Sequence, residues 1–182
     1  VKEVNNPGIY EFRLYKDAMP KNIIIDDSIP CDQNGNPVFA SNNGSEMWVM
    51  MLEKAYAKMY GSYSKLYSGD PQQAFRDFLG MPTRGVTVGS DQNLFLKASK
   101  WLKKGWCIVA ESRASSDEVN LDSVGLIPSH VYSFVDAHEA LQHSLVKLRD
   151  PIGKDTWKGS WNDDDDARWT DEAKKQFNFE KA

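Results

Sequence analysis

The chain has 182 residues, 41% of them hydrophobic, with 22 Lys and Arg against 26 Asp and Glu for a net charge of −4. Six Trp, seven Tyr and eight Phe are enough to build a core, which excludes disorder over most of the chain. The charge balance leaves no basic footprint for nucleic acid, no apolar run approaches the roughly 20 residues that span a bilayer, and two cysteines are too few for a disulfide framework.

The first third reads as strands. Ile9 to Tyr15 alternates apolar and polar residues, as a half-buried strand does. Ile23-Ile24-Ile25 is a β-branched run stopped by Asp26-Asp27 and Pro30. Asn34-Gly35-Asn36-Pro37 is a turn cluster leading into a short strand around Val38-Phe39. The middle reads as helices. Asn43 with Glu46 three residues later forms a capping-box variant. Met47, Trp48, Met51, Leu52, Ala55, Tyr56 and Met59 then mark one helical face, and Gly61 ends it. Asp70-Pro71 opens a shorter helix through Phe75 and Phe78 to Gly80. Ser90 caps a third, with Leu94, Phe95, Ala98, Trp101 and Leu102 inward and Gly105 after it.

Strands return in the last third. They cover Trp106 to Ala110, residues 130 to 136, and Ser144 to Arg149, the last two joined by a polar connection holding His138 and His143. Asp163 to Asp166 is a solvated acidic loop or a cation site. There is no internal repeat and no glycine-rich phosphate loop. Strands, helices, then strands predict an α+β fold in a single domain over residues 1–182, with a mainly antiparallel sheet.

A lone histidine on a strand is usually structural, but His130 has a partner in reach. Asp150-Pro151 ends the next strand, and antiparallel neighbours bring such ends together. The proline removes a donor and fixes the turn after the aspartate. A carboxylate at one ring nitrogen sets the tautomer and aims the other nitrogen at a nucleophile. Neither cysteine reads as that nucleophile. Cys107 falls in an apolar strand, where burial blunts a thiol, and Cys31 follows Ile29-Pro30 in a turn with no helix N-terminus behind it.

Ser129-His130-Val131-Tyr132-Ser133-Phe134 resembles the G-H-A-Y-S-V strand of calpain-type cysteine proteases, and Leu148-Arg149-Asp150-Pro151-Ile152-Gly153 resembles their R-x-R-N-P-W-G turn. Ile23 to Pro30 is similar to V-V-I-D-D-x-L-P, and Gly44 to Lys58 to G-S-E-F-W-x-x-L-L-E-K-A-Y-A-K. Gly61-Ser62-Tyr63, Phe75-Arg76-Asp77-Phe78 and Trp157 to Asp163 (W-T-G-x-W-x-D) follow in family order. The resemblance implies the second catalytic subdomain, a papain-like lobe with a mainly antiparallel sheet or open barrel and about three helices. It makes His130 the base and Asp150 the orienter, and places the catalytic cysteine in a preceding subdomain, the expected partner. The chain is then expected to lack that upstream part and to stop slightly short at its C-terminal side. Protein or peptide substrates and calcium are implied as well, with Asp163 at one acidic ligand position and Asp155, adjoining Thr156 at the other, as calcium ligands; the sparse cysteines suit a reducing, cytoplasmic setting.

Four positions depart from the family pattern. Asp150 stands for asparagine, and Ile152 for a tryptophan that packs between the lobes. Ser129 and Met81 stand where the family has glycines that let substrate backbone approach, with Gly80 adjoining, so Gly80 and Ser129 are the expected substrate-binding positions. These departures keep a second function in view: a catalytically degenerate lobe that serves as a protein-binding or scaffold module.

Overall fold

Period-two alternation places the first strands as the sequence predicts. The computed structural model describes residues 2–3, 8–42, 44–114, 120–153 and 157–181. It divides into two compact units, Val1–Gly85 and Val86–Ala182. In the first, β1 (Lys2–Glu3), β2 (Ile9–Lys16) and β3 (Met19–Asp26) form an antiparallel sheet in that order. Phe12, Leu14 and Ile25 point inward, while Arg13 and Ile24 between them face out. Onto the inner face pack Met51 and Ala55 of α1 (Trp48–Tyr60) and Phe78 of α2 (Pro71–Leu79).

The helix signals hold best at the short helix. Asp70 caps α2 by accepting from the Gln72 N–H at 2.8 Å, and Gly80 closes it at φ +64°. Gly80 has no room for a side chain either: a Cβ there would meet the Tyr15 ring at 2.7 Å. For α1 the outcome differs at the start. The helix begins at Trp48 after Met47, with no side-chain cap, and Asn43 lies outside the described residues. One turn shorter than expected, it leaves Met47 and Trp48 exposed ahead of the packed part, and Met50 and Ala57 join the buried set.

Val38 and Phe39 form no strand. A single bridge links Cys31 to Pro37, and proline has no N–H to carry a ladder further. Phe39 instead stacks on Tyr63 with ring centroids 4.3 Å apart.

The second unit holds α3 (Leu94–Lys103), then β4 (Val109–Glu111), β5 (Val131–Ala140) and β6 (His143–Arg149) in a second antiparallel sheet of order β4-β5-β6, and α4 (Asp171–Phe177). Ser90 does not cap α3. The helix starts at Leu94 after Asn93, and the Ser90 hydroxyl donates to the Thr87 carbonyl at 2.6 Å. β4 is shorter than expected and leaves Trp106 and Cys107 outside it. β5 and β6 run longer, so His138 and His143 lie in strands rather than in a connection. Only Leu141-Gln142 turn the chain, both left-handed at φ +49° and +62°. Such a turn usually announces itself with Asn-Gly, and here no glycine marks it.

α4 was not expected. Thr170 caps it by accepting from the Ala173 N–H, and it buries Ala173 and Phe177 with Trp169 in a cluster joined by Ala140, Leu145, Trp161 and Phe179. Among the described residues the architecture is α+β, with four α-helices and two open antiparallel sheets.

Candidate active site

The register of the second sheet explains how His130 meets Asp150. Ser133 pairs with Arg149 across β5 and β6, so one step further Asp150 stands level with Tyr132. Side chains two apart on a strand share a face, which puts residues 130, 132 and 150 on one side. His130 Nε2 lies 2.8 Å from Asp150 Oδ1. The two side chains are 16% and 7% exposed, so the pair is largely shielded from water. Facing a carboxylate, Nε2 carries the hydrogen, which leaves Nδ1 as the free acceptor on the ring. Asp150 Oδ1 also accepts from the Ile152 N–H at 3.0 Å, which ties the turn to the carboxylate. The Tyr132 ring stands at 89° to the imidazole with centroids 4.8 Å apart.

The backbone under His130 is held as well. Ser112 donates its N–H to the His130 carbonyl at 2.9 Å. Its hydroxyl accepts from the His130 N–H at 2.9 Å and lies 2.6 Å from the Ile127 carbonyl and 3.2 Å from the His130 carbonyl. Tyr132 Oη accepts from the Ile127 N–H at 2.8 Å. Ser129 is left-handed at φ +50°, a conformation that suits glycine. Nothing in the sequence singled out Ser112, because a serine after a short strand carries no periodic signal.

Cys107 is exposed rather than buried, so burial does not blunt it. Position disqualifies it instead. His130 pairs with Ser112, five residues along the ladder from Cys107 and therefore roughly 16 Å away at strand spacing. Cys31 is also exposed and lies in the first unit, where its thiol donates to the Ile29 carbonyl at 3.4 Å.

Elsewhere, Met81 is 56% and Ile152 54% exposed. The Trp157-to-Asp163 motif has a structural reason. Gly159 lies under the Trp157 indole, where a Cβ would meet ring carbon at 2.2 Å, and Trp161 packs edge-on against His143, Trp169 and Phe177. His138 bonds Asp136 at 2.8 Å on the same strand.

Two carboxylates of the acidic loop are engaged by other partners. Asp165 accepts from the Trp161 N–H at 2.8 Å and pairs with Arg168 at 2.9 Å; these bonds hold its carboxyl below the usual carboxylate range. Asp164 pairs with Lys181, whose own pKa is raised by that contact. Asp163 is exposed, and Asp155 lies outside the described residues. Among the described residues no three His, Cys, Asp or Glu side chains converge, whereas calcium takes six to eight oxygens.

Comparison with known proteins agrees with the geometry. The sequence model of the calpain family cysteine proteases matches residues 1–182. The chain is 35% identical to the calpain-type cysteine protease DEK1 of Arabidopsis thaliana over 94% of its own length and 8% of that protein's. It is 30% identical to human calpain-7, covering 98% of the chain and 23% of calpain-7, and 34% identical to mouse calpain-8, covering 87% and 24%. The chain thus spans less than a quarter of the length of these relatives. This chain belongs to the calpain family of cysteine proteases.

Proposed function

We propose that this chain is the histidine-bearing half of the catalytic core of a calpain-like cysteine endopeptidase, with the nucleophilic thiol supplied by a preceding subdomain. His130 Nδ1 takes the thiol proton, and the thiolate attacks the peptide carbonyl. Asp150 accepts from Nε2–H and stabilises the imidazolium. The imidazolium then protonates the departing amine, which leaves a thioester. Water adds to the thioester with His130 as base, the thiol is released and the acid product departs. The observation that carries this reading is the shielded His130–Asp150 pair, with Nε2 occupied and Nδ1 left for the thiol.

On this reading the chain alone does not cleave peptides. Labelling the intact protein with an irreversible thiol-directed inhibitor tests it. One upstream cysteine that reacts much faster in the presence of His130 than in His130→Ala supports the proposal; equal reactivity counts against it. Calcium stays in the proposal as an effector on family resemblance alone, with Asp163 and Asp155 as its protein ligands here, and no step is routed through it. Calorimetric titration of the intact protein and of Asp163→Ala checks that assignment.

A second reading, a degenerate lobe kept for binding, is favoured by two observations. Met81 projects into solvent where the family has glycine, and Ser129 holds a left-handed backbone with a side chain. A folded intact protein with no peptidase activity and unaltered thiols would select it.

A further inference from the structure

The segment that delivers His130 to its strand is irregular and held from two sides. Pro128 offers no N–H, and Ser129 is left-handed at φ +50°, a conformation in which a Cβ crowds the following carbonyl. Such a segment keeps one shape only where its neighbours over-determine it. Here the neighbours are Ser112, beyond β4, and Tyr132, within β5. The Tyr132 hydroxyl accepts from the Ile127 N–H at 2.8 Å, while the Ser112 hydroxyl lies 2.6 Å from the Ile127 carbonyl. Both polar groups of Ile127 are therefore taken by side chains. The same Ser112 oxygen accepts from the His130 N–H at 2.9 Å. A hydroxyl has one hydrogen to give, and the shorter contact assigns it to Ile127. Ser112 thus joins Ile127 to His130, bridging the irregular segment. Tyr132 is buried, at 6% exposed, and its ring also walls the imidazole at 4.8 Å.

We propose that Ser112 and Tyr132 are positioning residues for His130: through Ile127 they fix the backbone of the Pro128–Ser129 entry, and so aim Nδ1 while Nε2 stays on Asp150. Neither touches substrate in this role. The inference rests on the reading of His130 as the base, and extends it to residues outside the histidine–aspartate pair. Small displacements matter in such a site, since an error of about 1 Å in a reacting group can cost about a hundredfold in rate.

The test is nitrogen-15 NMR of the His130 ring in the folded chain, comparing the parent sequence with Ser112→Ala, Ser112→Thr and Tyr132→Phe. The parent ring is expected to be mainly the Nε2–H tautomer, with a slowly exchanging Nε2 proton. Ser112→Ala and Tyr132→Phe should each populate the Nδ1–H tautomer and speed that exchange, while backbone amide signals of β5 and β6 persist. Ser112→Thr, which keeps the hydroxyl, should restore the parent ring. In the intact enzyme Ser112→Ala and Tyr132→Phe should lower kcat about tenfold with KM held within about twofold. Unchanged ring signals in both variants overturn the proposal, and so does a parent ring that is mainly Nδ1–H. Should Ser112→Ala not fold, Tyr132→Phe decides alone, because it removes one oxygen and keeps the ring. An intact protein without peptidase activity would count against the functional reading, and the ring spectra would still decide the positioning role.

Discussion

His130 Nε2 and Asp150 Oδ1 stand 2.8 Å apart at the adjoining ends of two antiparallel strands, with the aspartate side chain only 7% exposed. The family's asparagine can orient a histidine through its amide oxygen, and Asp150 offers the same acceptor with a charge added. Asp150→Asn should therefore keep the tautomer and hold kcat of the intact enzyme within about tenfold. Asp150→Ala removes the acceptor and should lower kcat about a hundredfold to ten-thousandfold, with little change in KM. Steady-state kinetics on the two variants separates orientation from charge.

The first unit has its own buried polar anchor. Asp77 is 1% exposed and accepts from the Tyr56 hydroxyl at 2.8 Å, the Tyr60 hydroxyl at 2.5 Å and the Gln73 amide at 2.6 Å. It fastens α2 to α1. Asp77→Ala strands these donors and should cost about 3 kcal/mol of stability by urea unfolding. Burial, then the Asp77 carboxylate, holds the Tyr56 phenol above its ordinary range, and Tyr60 is raised by the same two causes. Raised acids stabilise the fold below their unfolded pKa of about 10, and that contribution fades as pH rises past it. Unfolding midpoints should therefore fall above about pH 10, less steeply in Asp77→Asn.

Acid should loosen the same unit through a different pair. Lys54 bonds Asp26 at 2.6 Å and the Ser28 carbonyl at 2.6 Å. That ammonium, helped by the Ser28 N–H, holds the Asp26 carboxyl well below the usual carboxylate range. A depressed acid stabilises the fold above its unfolded pKa of about 4, and the contribution is lost as pH falls below that toward the folded value. Denaturant midpoints measured from neutral pH downward should hold level and then drop below about pH 4, and Lys54→Met should flatten the drop.

Both cysteines should behave as bystanders. Cys31 and Cys107 are exposed, so a thiol reagent should modify both in the folded chain at ordinary rates. Cys107→Ser in the intact enzyme should leave kcat within about twofold, as surface changes usually do. A large loss would place Cys107 within reach of His130.

What the sequence made legible follows physical reach. Period two located β2 and β3, and the Asp70-Pro71 and Gly80 signals bounded α2, because these depend on neighbours within a few residues. The His130–Asp150 pair was also legible, since two antiparallel strands joined in sequence bring their far ends together. The turn at Leu141-Gln142 was hidden because tertiary pairing imposes left-handed backbone on residues that do not ask for it. The exposure of Cys107 and of Trp48 was hidden too, because each depended on where a neighbouring element begins. Ser112 was invisible for a similar reason: its hydroxyl matters only through residues 15 and 18 positions away.

The proposed role of His130 is that of base to a peptide-cleaving thiol. The most direct measurement is hydrolysis of an unfolded protein substrate by the intact protein, with and without His130→Ala, and with an irreversible thiol-directed inhibitor as control. With His130 as the base, inhibitor-sensitive cleavage is expected, falling by about a thousandfold or more in His130→Ala. Cleavage that survives His130→Ala, or no cleavage by a folded intact protein, would contradict it.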